Sequence, residues 1–282
     1  MFAIIGSVVV LAAIILGYLM EHGNLSVLFQ PAEMVIIFGA ALGSFLVASP
    51  SKVVTLVVKH LPAVFSGKGR SKEDYLELLG LMNTLFMKIR KDGLIAIEAD
   101  IEEPKKSTLF SKYKKLITNT KALDFICDNL KVIISSNMPP HEMESLMEVD
   151  MEAHHQETMI PSQSVAKIAD SLPGFGIVAA VLGVVLTMGK IDQPPAVLGH
   201  SIGAALVGTF LGILMCYGFF GPMAANLEHQ VREDSAYYHA IKVALVAFVG
   251  GSAPQLAVEF GRRAVPSKER PTFNELETFL RK

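Results

Sequence analysis

Absence is the most informative property of this 282-residue chain: four apolar runs long enough to cross a bilayer contain no Asp or Glu, although the sequence holds 27 acids. An ion-moving protein built this way needs its ion-binding acid from another chain. Strand signals are nearly missing and no internal repeat is visible, which leaves an all-helical chain. There is no P-loop lysine motif, no HExxH and no nucleophile elbow, so an enzyme is not expected. A net charge of −2 argues against the concentrated basic face of a nucleic-acid binder. Of the two cysteines, Cys127 falls in a hydrophilic stretch and Cys216 inside an apolar run, so neither suits a structural disulfide and both read as small packing residues.

What is present is apolar length. Residues 2–20 form a 19-residue uncharged run, enough for a helix to cross the hydrocarbon core of about 30 Å. It lacks a basic leading region and is long for the core of a signal peptide, so it is read as a retained span. A second run, Met34 to Ala48, extends with weakly polar neighbours from about Pro31 to Pro50, and Glu33 is assigned to the loop before it. A third occupies Leu172 to Gly189 and a fourth Ser201 to about Ala225. The positive mean hydropathy agrees with a membrane protein that also has a large soluble part.

Basic residues give the orientation. Of 25 Lys and Arg, 16 lie between Lys52 and Lys167, eight between Arg232 and Lys282, and Lys190 alone lies beside the turn joining runs three and four. The loop from Glu21 to Glu33 has none. The positive-inside tendency therefore places the middle segment, the C-terminal tail and, with four crossings, the N-terminus in the cytoplasm. The expected organisation is membrane helices in 1–50, a cytoplasmic helical domain in 51–170, membrane helices in 171–225 and a cytoplasmic helical tail in 226–282.

The middle segment has helical periodicity. Leu76, Leu78, Leu79, Leu81, Met82, Leu85, Phe86 and Ile89 place a helix over Tyr75 to Lys91, stopped at Asp92 and Gly93. A short helix follows over Leu94 to Ile101, another over Leu123 to Ser135, and a long acidic one from about His141 with Met143, Leu146, Met147 and Met151 as its core stripe. His154 and His155 with Glu152 and Glu157 do not make a metal site, because adjacent side chains on a helix point about 100° apart; they read as a solvated face.

Runs three and four are rich in small residues at four-residue spacing: Gly176 with Ala180, Ala179 with Gly183, Ala204 with Gly208, and Gly208 with Gly212. That pattern lets helices approach closely in a bilayer and predicts a tightly packed pair. Thr209, midway along run four, either bonds its own backbone one turn back or lines an ion path. Helical character continues past Pro173 and Pro222, so both prolines read as interior to helices that leave the membrane, where each removes a hydrogen bond.

The ordered segments QPAEMVII (30–37), SLPGFGIVAAVLGVV (171–185), VGTFLGILMCYGF (207–219) and AVEFGRRAVPSKERPTF (257–273) carry a resemblance. Over nearly its whole length the chain resembles the MotA family of flagellar stator subunits. The resemblance implies a ring, a pentamer around two copies of MotB, whose membrane helix supplies the ion-binding aspartate and whose periplasmic domain grips peptidoglycan. It implies residence in the bacterial inner membrane and a function in turning ion-motive force into torque on the rotor protein FliG.

Pro173 and Pro222 match the family's two prolines near the conducting aspartate, and Thr209 matches a threonine of the ion path. Arg90 and Glu98, by themselves two exposed charges, match the charged pair used against FliG. Ala180 stands where sodium-driven relatives carry threonine. Without that hydroxyl Na⁺ lacks an oxygen ligand, so the transported ion is expected to be a proton rather than sodium, with no cofactor or metal. Gly174 and Gly221, beside the prolines, depart from the enterobacterial pattern. An energiser of the TolQ or ExbB type is the alternative, but those typically have three spans.

Overall fold

The structure, a computed structural model, describes residues 2–66, 69–136 and 138–281. Lys68 and Lys282, counted above among the basic residues, lie outside them. No strand occurs among the described residues. The principal helices are Phe2–Met20 (α1), Pro31–Ala48 (α2), Ser51–His60 (α3), Lys72–Asp92 (α4), Thr120–Ser135 (α5), Pro140–Met188 (α6), Pro195–Met215 (α7), Gly221–Val249 (α8), Pro254–Ala264 (α9) and Phe273–Leu280 (α10). Among the described residues, four helical stretches are long and apolar enough to cross a membrane: Phe2–Met20, Leu25–Ala48, Pro140–Met188 and Pro195–Val249.

The chain forms two compact units. One combines the stretch before Gly69 with Thr158–Gln230; the other combines Gly69–Glu157 with Val231–Lys282. Both α6 and α8 contribute residues to each.

In the first unit α1 buries no residue, which leaves its apolar surface for lipid or another subunit. Helix α2 buries one stripe at four-residue spacing, Glu33, Ile37, Ala41 and Phe45. The structure thus corrects the reading of Glu33 as a loop residue. Pro31 opens α2 at its first turn, where its missing N–H is harmless, and Glu33 follows inside the helix. The second span therefore contains an acid. Ile37 and Ala41 pack with Ala169, Leu172, Ala179 and Cys216; Phe45 packs with Val57, Val64, Val165, Ala224 and Leu227. The buried hydroxyl of Ser162 donates to Ala224 O at 2.9 Å, tying α6 to α8 within this unit.

The second unit is organised on α4. Ser71 and Asp74 form a reciprocal cap at its start, and Gly93 (φ 87°) ends it in a conformation that disfavours other residues. Tyr75, Leu78, Leu79, Leu81, Met82, Leu85 and Phe86 are all buried against residues from α5, α6, α8 and α9. Met143 and Met147 join this core, whereas Leu146 stays exposed at the stripe's edge. Cys127 is buried there too, and burial pushes its thiol up to about 12, consistent with an unreactive packing residue.

His154 and His155 are half-buried rather than solvated. The His154 ring lies 4.7 Å from that of Tyr238, and its Nε2 is 3.4 Å from Asp234 Oδ2. The His155 Nδ1 is 2.9 Å from Ser235 Oγ. Asp234 also pairs with Arg70, whose guanidinium lies 4.3 Å over the Tyr237 ring. The two histidines serve packing between α6 and α8 in this unit, which periodicity on α6 alone could not reveal.

Candidate functional site: a close helix crossing and an exposed charged segment

In the first unit, α6 and α7 meet backbone to backbone. A Cβ on Gly212 would stand 2.5 Å from Leu172 O and 3.0 Å from Gly176 Cα. One on Gly176 would stand 2.8 Å from Gly208 O and 3.3 Å from Thr209 Cα, and one on Gly208 would be 3.1 Å from Ala179 Cβ. At the far end, a Cβ on Gly183 would be 2.5 Å from Ala205 Cβ. The small-residue spacing therefore works as expected, except that Ala205, not Ala204, is the buried residue facing α6.

This crossing gathers three of the expected site residues. Ala180 is buried, and its N would be 3.3 Å from a Cβ on Gly208; Thr209 is the next residue along and lies beside Gly176. Pro173 follows Leu172, whose carbonyl meets Gly212. Thr209 makes no hydrogen bond to its own helix among the described residues, in contrast to Thr187, whose hydroxyl donates to Gly183 O at 2.8 Å. Its hydroxyl is thus available to another group.

Pro222 lies outside the crossing and is exposed. Helix continues through it because residues Cys216–Phe220 form a π-helical turn, in which the Gly221 N–H donates to Cys216 O. Proline has no N–H for the carbonyl four residues back and its ring crowds that carbonyl, and the wider π turn ahead of Pro222 gives the backbone room for both. Gly221 is required locally, since a Cβ there would be 2.9 Å from Cys216 O. Pro173 is accommodated inside the 49-residue α6. Neither proline ends its helix.

Sequence reasoning missed Glu33. Its carboxyl enters the same crossing: a Cβ on Gly208 would stand 2.6 Å from Oε2, and one on Gly183 would be 3.5 Å from Oε1. The residue is 9% exposed and Oε2 has no hydrogen-bond partner. A signal was available, because Glu33 precedes Ile37, Ala41 and Phe45 in the same four-residue stripe.

In the second unit, Arg90 and Glu98 are both exposed, and no ion pair joins them to each other or to another described residue. Their segment is nonetheless fixed. Ile97 and Ile101 are buried, Lys88 Nζ lies 2.6 Å from Asp100 Oδ2, and the Ser107 hydroxyl donates to Asp100 Oδ1 at 2.6 Å. Burial opposes ionisation of Asp100, but the bonds from Lys88 and Ser107 outweigh it and hold the carboxyl below its ordinary range. Lys88 and Asp100 thus present the free charges of Arg90 and Glu98 on a braced turn. No group of three or more His, Cys, Asp or Glu suited to a metal occurs among the described residues.

Comparison with known proteins agrees with this architecture. Residues 4–93 match the family described as Motility protein A N-terminal, and residues 115–240 match the MotA/TolQ/ExbB proton channel family. Motility protein A of Escherichia coli (strain K12) is 45% identical over 281 residues, covering 100% of this chain and 95% of that protein. Chemotaxis protein LafT of Vibrio parahaemolyticus is 36% identical, covering 98% of this chain and 97% of its own length. In fold, the chain is similar to a solved structure of C. jejuni MotAB, with a TM-score of 0.78 at 20% identity over 96% of this chain and 98% of that one. The flagellar MotAB stator complex from Bacillus subtilis gives a TM-score of 0.75 at 22% identity, over 95% and 97%.

Proposed function

The chain belongs to the Motility protein A family, and from that premise we propose that it is a flagellar stator subunit which conducts protons with a MotB partner and turns their flux into torque. The observation that carries the reading is 45% identity to a Motility protein A across the whole chain. The four candidate membrane helices favour it over an energiser of the TolQ or ExbB type. The role is mechanical rather than enzymatic.

The subunits form a ring, a pentamer around two MotB chains, in the bacterial inner membrane with both termini in the cytoplasm. The MotB aspartate faces the crossing of α6 and α7, where Thr209 offers an unpaired hydroxyl and Ala180 offers none. Without the hydroxyl that sodium-driven relatives carry at the Ala180 position, a sodium ion is one oxygen ligand short there and a proton is the cargo. Protonation of the MotB carboxylate releases it from one subunit, and Pro173 and Pro222 provide the deformable points through which the ring steps. An elementary charge crossing 100 mV delivers about 2.3 kcal/mol, so each step has little to lose. Arg90 and Glu98 pass the push to FliG. Exposed ion pairs of about 1 kcal/mol or less suit contacts that must form and break repeatedly.

The test is proton entry into vesicles holding this chain with its MotB partner, followed with an enclosed pH dye. Uptake that needs both chains and stops when the partner's conducting aspartate becomes asparagine is the expected result. Equal uptake by this chain alone would contradict the proposal.

A further inference from the structure

We propose that Glu33 is a second proton-holding group on the conduction path, a carboxyl of this chain's own that takes up a proton before passing it to the partner's carboxylate. The inference rests on the proton-conducting reading above and deepens it. Three observations carry it. First, Glu33 is 9% exposed, and its Oε2 is without a hydrogen-bond partner. An ionisable side chain at membrane depth is costly to keep without compensation, and such groups line ion and proton pathways.

Second, the carboxyl is admitted by a missing side chain. Gly208 is the residue whose absent Cβ leaves room for it, since a Cβ there would stand 2.6 Å from Oε2, while the Gly183 position borders Oε1 at an ordinary contact distance of 3.5 Å. An alanine at Gly208 would push the acid out. Third, the same Gly208 adjoins both Ala180 and Thr209, so Glu33 borders the place where the partner's acid is expected. Glu33 lies in the first turn of α2, directly after the loop that the charge distribution places outside the cytoplasm, so it precedes Thr209 on an inward route.

The chemistry is a proton relay. Uptake from the outer side turns the Glu33 carboxylate into a neutral acid; transfer to the partner's carboxylate restores the anion and neutralises the partner. No further reactant is needed. It also gives this chain the acid that its other spans lack.

The test uses the full chain assembled with its MotB partner, measuring proton flux and swimming speed against external pH. Glu33→Gln keeps size and hydrogen-bonding capacity but holds no proton. It should co-purify with the partner while flux falls about a hundredfold, the low end of what a positioned proton-transfer group contributes. Glu33→Asp keeps a carboxyl on a shorter arm and should conduct with a displaced pH midpoint. Glu33→Gln with wild-type flux and pH profile would overturn the inference and leave the stator reading standing. If Glu33→Gln fails to assemble, Glu33→Asp decides: a displaced midpoint supports the relay and an unchanged one overturns it. A wild-type complex that conducts no protons would overturn the stator reading and the relay together.

Discussion

Glu259 is clamped by two arginines. Arg262 donates from Nε and Nη2 at 2.7 Å each, and Arg263 Nε donates at 2.8 Å. Arg262 also reaches Pro271 O at 2.8 Å, tying α9 to the chain before α10. The Arg262 bond, opposed by burial and helped by Arg263, depresses the Glu259 carboxyl to about 2. A depressed acid stabilises above its unfolded value and loses that contribution as pH falls through the folded one. The Glu259 contribution is therefore complete above about 4.5 and disappears as pH drops towards 2. Glu259→Gln should weaken the second unit by about 1 kcal/mol at neutral pH, after allowing for solvent screening, and flatten its acid dependence over that window. Hydrogen exchange of the amides of residues 255–264 against pH measures both.

Arg90 supplies a second prediction at this scale. Because it is exposed and unpaired while Lys88 and Asp100 hold the turn, Arg90→Glu should reduce rotation speed in tethered cells and leave membrane assembly unchanged. Loss of the assembled complex would contradict its assignment to the rotor interface. Residue identities showed Thr209 and the prolines as candidates, and Ala180 entered only through the family resemblance. They hid Glu33, because an acid beside Pro31 looks like a loop until the stripe through Ile37 and Phe45 is extended backward.

Among the elements, the α6–α7 crossing depends on backbone proximity. Gly212→Ala would force a methyl to 2.5 Å from the Leu172 carbonyl, a backbone atom that cannot rotate away. Overpacking of this kind costs about 1–3 kcal/mol, and should lower the thermal midpoint of the detergent-solubilised protein. Gly39→Ala, with nothing within 4 Å of its Cβ, is the control and should leave the midpoint unchanged. Gly221→Ala should disturb the π turn ahead of Pro222 and alter stepping without removing a charge.

Helix existence was legible from periodicity, and so were the interior positions of both prolines. The extent of α6 was less so. The third span appears in sequence as a separate run from Leu172, yet it is the end of a helix that begins at Pro140, because helical propensity continues where hydropathy changes. The partners of His154 and His155 lie about eighty residues away on α8, beyond any local pattern.

At the scale of the molecule, each compact unit is assembled from separated stretches of chain, with α6 and α8 contributing to both. Apolar runs alone mark the candidate spans but not this interleaving, which arises from contacts such as Ser162 with Ala224 and Lys242 with Glu144 and Glu148. The proposed role is that this chain, with a partner's acid, turns proton flow into rotation. The most direct measurement is swimming speed in a stator-less strain supplied with this chain and its MotB partner, under proton and sodium gradients varied separately. Speed that follows the proton gradient at any sodium concentration is predicted; speed that follows sodium alone would contradict it.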